Sequence, residues 1–126
     1  MTAGRTAKEW GRVAVSLPGW RWMPGMYAVA SLPRTEPGFR RISGPGFPRW
    51  WLETHDAVPD PDDPATAGCL LALIHSRGVY MVPCSRHEGW WRAIIPAGAW
   101  PESASTLGRA CIAAAEALGR WPGGVG

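Results

Sequence analysis

Apolar side chains recur at helical spacing in three stretches of the chain and alternate with polar ones between them. In residues 3–16, AGRTAKEWGRVAVS, the side chains Trp10, Val13 and Ala14, with the following Leu17, fall on one helical face. Thr6 can cap that helix, Glu9 three residues on completes a capping box, and Pro18-Gly19 stops it. Residues 26–32 (MYAVASL), 39–43 (FRRIS) and 49–53 (RWWLE) predict three strands, separated by the turns PRTEPG and GPGFP.

The strongest local pattern is DPDDPATAGCLLALIHSRG, residues 60–78. Asp63 is placed as N-cap, Pro64 fits the first turn, and Gly78 can supply a left-handed stop. Ala67, Leu70, Leu71 and Ile74 form its apolar stripe. Residues 79–83 (VYMVP) and 90–95 (WWRAII) predict two further strands joined through CSRHEG. A last helix, 103–119, opens on Ser103 or Ser105 and ends at Gly119, with Leu107, Ala110, Cys111, Ala114 and Leu118 on one face. Residues 120–126 are expected to be a flexible tail.

The predicted order is therefore α-βββ-α-ββ-α. Strands and helices mix without a repeating βαβ unit, which implies a single α+β domain over residues 1–126, an antiparallel sheet with helices mainly on one face.

Composition adjusts this picture. The chain has 126 residues, long enough to bury a real core, and 46% are hydrophobic, which argues against disorder. Charge is scarce at 18%, and 16 Gly and 13 Pro point to much turn and loop. Tryptophan dominates the aromatics, with 9 Trp against 2 Tyr and 2 Phe. Arginine nearly excludes lysine, a bias that a GC-rich genome produces without any chemical need. The net charge of +3 conceals a basic first half and an acidic run, Glu53, Asp56, Asp60, Asp62 and Asp63, with no base among residues 53–63. A basic first half can steer an anionic partner, but this much charge is ordinary for a solvated surface, and that is the reading preferred. The N-terminus has no apolar core of a secretory signal, and no apolar run approaches the length of a membrane span, so a cytoplasmic location with reduced thiols is expected.

Candidate chemistry is thin. Cys69, His75, Cys84 and His87 are spaced C-x5-H-x8-C-x2-H, which matches no zinc pattern. Six residues on one helix also turn Cys69 and His75 about 120° apart. Cys69 and Cys111 read as small core residues. A calcium loop begun at Asp60 would need Gly and Glu where Ala65 and Leu71 stand, so the acids read as helix-capping groups. No nucleophile elbow or phosphate-cradling loop occurs. His55, between Glu53 and Asp56, and His87 beside Glu88 are the only sites where an acid–base group would sit. No metal, cofactor or catalytic residue is expected.

The tryptophans carry the remaining signal. If 49–53 and 90–95 are strands, alternation turns Trp50 and Trp91 toward the core and sets Trp51 with Arg49, and Trp90 with Arg92, on the wetter faces. Left uncovered by a helix, Trp51, Trp90, Arg49 and Arg92 would make an aromatic–arginine platform. Such a surface suits stacked bases, at roughly 1–3 kcal/mol each, and equally a protein hot spot. In GWRWMPGM (19–26), Trp20 and Trp22 are expected to staple the first helix onto the sheet, with Arg21 turned to solvent or a partner.

WRWMPGM (20–26), DPATAGCLLALI (63–74) and TLGRACIAAAEAL (106–118) together resemble a group of small uncharacterised proteins encoded in phages and prophages of GC-rich bacteria. The resemblance carries structural signatures and no active site. It implies a context, that of small phage accessory proteins that bind host or anti-phage-defence machinery without catalysis. The expected function is thus a non-enzymatic binder of a host or defence protein, for instance an inhibitor such as an anti-CRISPR. A nucleic-acid-binding accessory protein using the same Trp and Arg side chains is the alternative.

Overall fold

Thr6 opens the first helix as its spacing predicts. Its hydroxyl accepts from the Glu9 N–H and the Glu9 carboxylate accepts from the Thr6 N–H, both at 3.1 Å, starting α1 (Ala7–Ser16). These bonds with Thr6 hold the Glu9 carboxyl below the usual carboxylate range. The computed structural model describes residues 5–31, 38–44, 47–75, 79–95 and 103–124. Most of the PRTEPG turn and the proposed Gly78 stop lie outside them.

Three short strands form one antiparallel sheet in the order β2-β1-β3: β1 (Tyr27–Val29), β2 (Phe39–Arg41) and β3 (Val58–Pro59). Ala28 stands opposite Arg40 on one side and Pro59 on the other. Met26, Ala28 and Ala30 point into the core in strict alternation. α1 lies directly on β3, because Gly11 lets the two backbones close: a Cβ there would stand 2.5 Å from the Pro59 carbonyl oxygen.

The third strand is not the predicted segment. Residues 49–53 belong to a short helix, α2 (Arg49–Thr54), begun after Pro48. The sequence fits it, because Trp51, Leu52 and His55 are the buried positions and a spacing of four stacks the Trp51 and His55 rings at 4.4 Å. Asp56, in the left-handed region at φ 48°, then turns the chain into β3. Apart from α2 the order is α-βββ-α-ββ-α, and the α+β class stands.

Asp63 caps α3 (Pro64–Ile74) as expected, accepting from the Thr66 N–H at 3.0 Å. The buried Thr66 hydroxyl donates to the same carboxylate and accepts from the Tyr27 N–H at 2.8 Å, tying helix start to sheet. Arg41 on β2 forks onto Asp63 with contacts of 2.7 and 2.8 Å. The Arg41 bonds come first, with the Thr66 bonds behind, in lowering the Asp63 pKa to about 2. The stripe differs from expectation at Leu71, which is 41% exposed; Leu73 takes its place beside Leu70 and Ile74. Three side chains per two turns face the core, and Leu71 lies beyond that arc.

β4 (Tyr80–Pro83) and β5 (Trp91–Ile94) form the second sheet, an antiparallel hairpin pairing Tyr80 with Ile94 and Val82 with Arg92. α4 (Leu107–Leu118) crosses behind it and packs on α3 and α1. Its cap is Thr106, whose hydroxyl accepts from the Arg109 N–H, rather than Ser103 or Ser105. Gly119 ends it at φ 78°, and bonds from Arg120 N–H to Ala115 and Gly119 N–H to Glu116 complete a Schellman motif.

Residues 120–124, the described part of the expected flexible tail, are packed onto the fold, and residues 125–126 lie outside the described residues. Trp121 is fully buried, its indole N–H donates 2.9 Å to the Ala14 carbonyl, and its backbone N–H bonds Pro18. Ala14 is in the last turn of α1, and its carbonyl, which also accepts from the Leu17 N–H at 3.4 Å, ties that helix end to Trp121. Residues 122–124 form a 3₁₀ turn against α3. No helix among the described residues is long and apolar enough to cross a membrane.

Candidate functional site

The segment after α1 is held by two glycine turns. Gly19 sits at φ 86° and Gly25 at φ 99°, and the Gly25 N–H bonds the Ile42 carbonyl at 2.7 Å. Between them Trp20 meets Trp22 edge to face, centroids 5.3 Å apart, and leans on Trp121 at 5.8 Å. Both rings pack half-buried against the core. The Trp20 indole N–H is buried with no acceptor among the described residues.

The same rings form one wall of a groove of about 420 Å³, within the usual size of ligand sites, roughly 300–1,000 Å³. Arg21, Trp20 and Trp22 line it together with Arg49, Leu52 and Glu53 of α2 and with Ile42 and Phe47. A second hollow, of about 410 Å³ and lined by Arg40, Arg41, Ser43, Phe47 and Pro48, adjoins it through Phe47. Arg21 and Arg49, read from separate segments of the sequence, line the same groove.

Internal pairing separates the arginines into two sets. Arg5 pairs with Glu116, Arg12 with Asp56, Arg41 with Asp63 and Arg109 with Asp62, all at 2.7–2.8 Å. Arg21, Arg40, Arg49, Arg86 and Arg120 have no carboxylate partner among the described residues, although Arg40 lies 5.8 Å from the Trp51 ring. Arg21 and Arg49 line the groove, and Arg40 the hollow beside it.

The predicted platform does not form. Trp51 is only 3% exposed, on the inner side of α2, with Phe47 on its edge and His55 stacked on its face. Trp50, expected in the core, is 60% exposed. Both reversals arise from a helical period of 3.6 in place of a strand period of 2. On β5 the alternation does apply: Arg92 and Ile94 face outward with Trp90 just before the strand, while Ala93 and Ile95 are buried. Trp90 carries the His87 ring at 4.5 Å. Neither Trp90 nor Arg92 lines the groove.

Phe47, Ile42 and Glu53 are groove residues that sequence reasoning missed. Phe47, set in a Pro- and Gly-rich turn, is the available signal: a large ring in an irregular segment must be held by something. Among the described residues no three His, Cys, Asp or Glu side chains are grouped to hold a metal. The groove itself presents Arg21, Arg49 and Glu53 as its ionisable side chains, with neither nucleophile nor imidazole among them. His55 is buried, its Nδ1 donating 2.8 Å to the Trp51 carbonyl.

No protein family matches the chain, and no curated protein or solved structure is similar to it.

Proposed function

We propose that this chain is a small phage-encoded, non-enzymatic binding protein that engages a host or anti-phage-defence protein in the bacterial cytoplasm, occluding a functional surface as an anti-CRISPR inhibitor does. The observation that carries the reading is the groove, with aromatic walls and two arginines that no internal carboxylate neutralises among the described residues. Tryptophan and arginine are the side chains most enriched at interface hot spots, where an apolar ring and a desolvated charge act together. The phage context comes from the resemblance of its three segments.

Affinity capture from the nuclease-treated lysate of an infected host tests this, comparing the wild-type chain with an Arg21→Glu/Arg49→Glu variant. A protein partner retained by the first and lost by the second is the expected result. No partner, or one held equally by both, rejects it.

A nucleic-acid-binding role is favoured by a different observation, the exposed rings beside arginines in Phe39-Arg40-Arg41 and Arg49-Trp50. It requires tryptophan quenching by single-stranded oligonucleotides, with log affinity falling steeply against log salt. Absence of quenching at low salt removes it.

A further inference from the structure

We infer that the groove takes an acidic peptide segment, one whose carboxylates pair with Arg21 and Arg49 while its apolar side chains lie against Trp22 and Phe47. This rests on the groove being the binding surface, and names the chemistry of its ligand. Charge complementarity is the first ground. Arg21 and Arg49 line the groove and Arg40 the hollow that meets it at Phe47, and none of the three has a carboxylate partner among the described residues. A guanidinium forks onto a carboxylate with two parallel bonds, so each supplies position as well as attraction.

The walls separate a peptide from a nucleic acid. Stacked bases need open ring faces. Trp20 is engaged by Trp22 on one side and Trp121 on another, and Phe47 stands edge-on to Trp51. These rings offer half-buried apolar walls rather than platforms. Trp50, the ring of this region with an open surface, does not line the groove. Glu53 decides further: it lines the same groove as Arg21 and Arg49, as a fixed negative charge. A phosphate backbone would bring a charge against it at every nucleotide. A peptide can set carboxylates at the arginines and turn an amide N–H to Glu53, making that carboxylate an acceptor.

The test titrates the full chain with three fluorescently labelled probes at low salt: a short peptide of alternating Glu and Leu, its Gln–Leu counterpart, and oligo-dT. The Glu–Leu peptide is expected to bind at least tenfold tighter than the Gln–Leu peptide. Arg21→Gln and Arg49→Gln should each weaken it by about tenfold, a loss of about 1.4 kcal/mol, while Arg86→Gln on the hairpin leaves it unchanged. Glu53→Gln should strengthen oligo-dT more than the peptide. Equal binding of the two peptides, insensitivity to both groove variants, preference for oligo-dT, or binding of none of the probes overturns the inference. Those results leave the groove's role itself to the lysate capture. A partner lost there in the Arg21→Glu/Arg49→Glu variant, with no acidic-peptide preference here, means that only the ligand chemistry is wrong.

Discussion

Residues 49–54 (RWWLET) and 90–95 (WWRAII) carry paired tryptophans beside an arginine, yet one is helix α2 and the other leads into strand β5. Their content is nearly shared; their surroundings are not. Pro48 precedes the first with a fixed φ suited to a helix start, and the helical bond from His55 N–H to the Trp51 carbonyl closes it at 3.1 Å. Gly89, at φ 81°, precedes the second and turns it back along β4, where cross-strand bonds await its backbone. Each pair buries one ring more deeply than the other, but the residues after each pair are arranged differently. The helix brings Trp51 under His55, and the strand sets Ala93 and Ile95 inward while Trp90, Arg92 and Ile94 remain outside. Backbone partners, more than side-chain preference, decide which period a short aromatic segment obeys.

The contrast between the two segments breaks most sharply at Trp51. Trp51→Ala should cost about 3–5 kcal/mol, as large-to-small changes of buried aromatic residues do, because the buried ring packs against both His55 and Phe47. Trp50→Ala, one residue away and exposed, should stay within about 0.5 kcal/mol. Urea unfolding of both variants measures the difference. A reversed order would mean that residues 49–53 are a strand after all.

Much of this architecture is legible in the sequence where local rules act alone. The Thr6–Glu9 box, the Asp63 cap, the Gly119 stop and the alternation of β5 each depend on a few neighbouring residues. Local rules fail where a distant partner decides. Trp121 looks like part of a glycine-rich tail until the Ala14 carbonyl and the Trp20 ring are brought to it. β3 has two residues and no pattern of its own; α1 pressing on it through Gly11 places it. For the candidate site, Arg21 and Arg49 stand out in the sequence, but separately. Their meeting requires α2 to be a helix, and alternation of aromatic and charged residues indicates a strand.

A second difference between the regions is electrostatic. The groove side is tied to α3 through Arg41 and Asp63, so acid should loosen it. The Asp63 pKa of about 2 lies below its unfolded value near 3.8, so the native state favours the charged form. That stability is fully present above pH 4 and is lost as pH falls toward 2. Asp63→Ala removes the cap and the pair, and should cost about 1–2 kcal/mol at neutral pH. Asp63→Asn retains a competent cap and should cost less, while flattening the stability profile between pH 4 and 2 relative to wild type. Denaturant melts at several pH values check this. An unchanged acid slope in Asp63→Asn would show that the fork onto Arg41 does not persist in solution.

On the hairpin the expected effects are smaller. Trp90→Ala removes an outward ring and its His87 contact, and should cost less than about 1 kcal/mol. Ala93→Ser, one face over and buried, should cost more through its hydroxyl, about 1–3 kcal/mol if left unpaired. Trp90→Ala should also leave acidic-peptide binding intact, since the ring does not line the groove. Loss of binding in that variant would join the two regions into one surface and restore the platform.

Thiol chemistry separates the two regions with little disturbance of the fold. Cys84 stands at the foot of the hairpin, its N–H bonded to the Trp90 carbonyl at 2.8 Å. The Arg86 N–H first, then the Ser103 hydroxyl, hold its thiol below the ordinary range. Cys69 lies behind the groove wall, its sulfur 3.5 Å from the Pro24 carbonyl oxygen, and burial raises its pKa. Cys111, inside α4, is pushed up to about 12 by burial alone. Because the thiolate is the nucleophile, alkylation at neutral pH should proceed in the order Cys84, Cys69, Cys111, with Cys111 reacting only as the chain unfolds. Peptide mass spectrometry over a time course reads all three sites at once. Trp51→Ala should accelerate Cys69 more than Cys84, because α2 and the segment around Pro24 line the same groove. Equal acceleration at both sites would mean that the two regions open together, and that the contrast between them is one of geometry without separate stability.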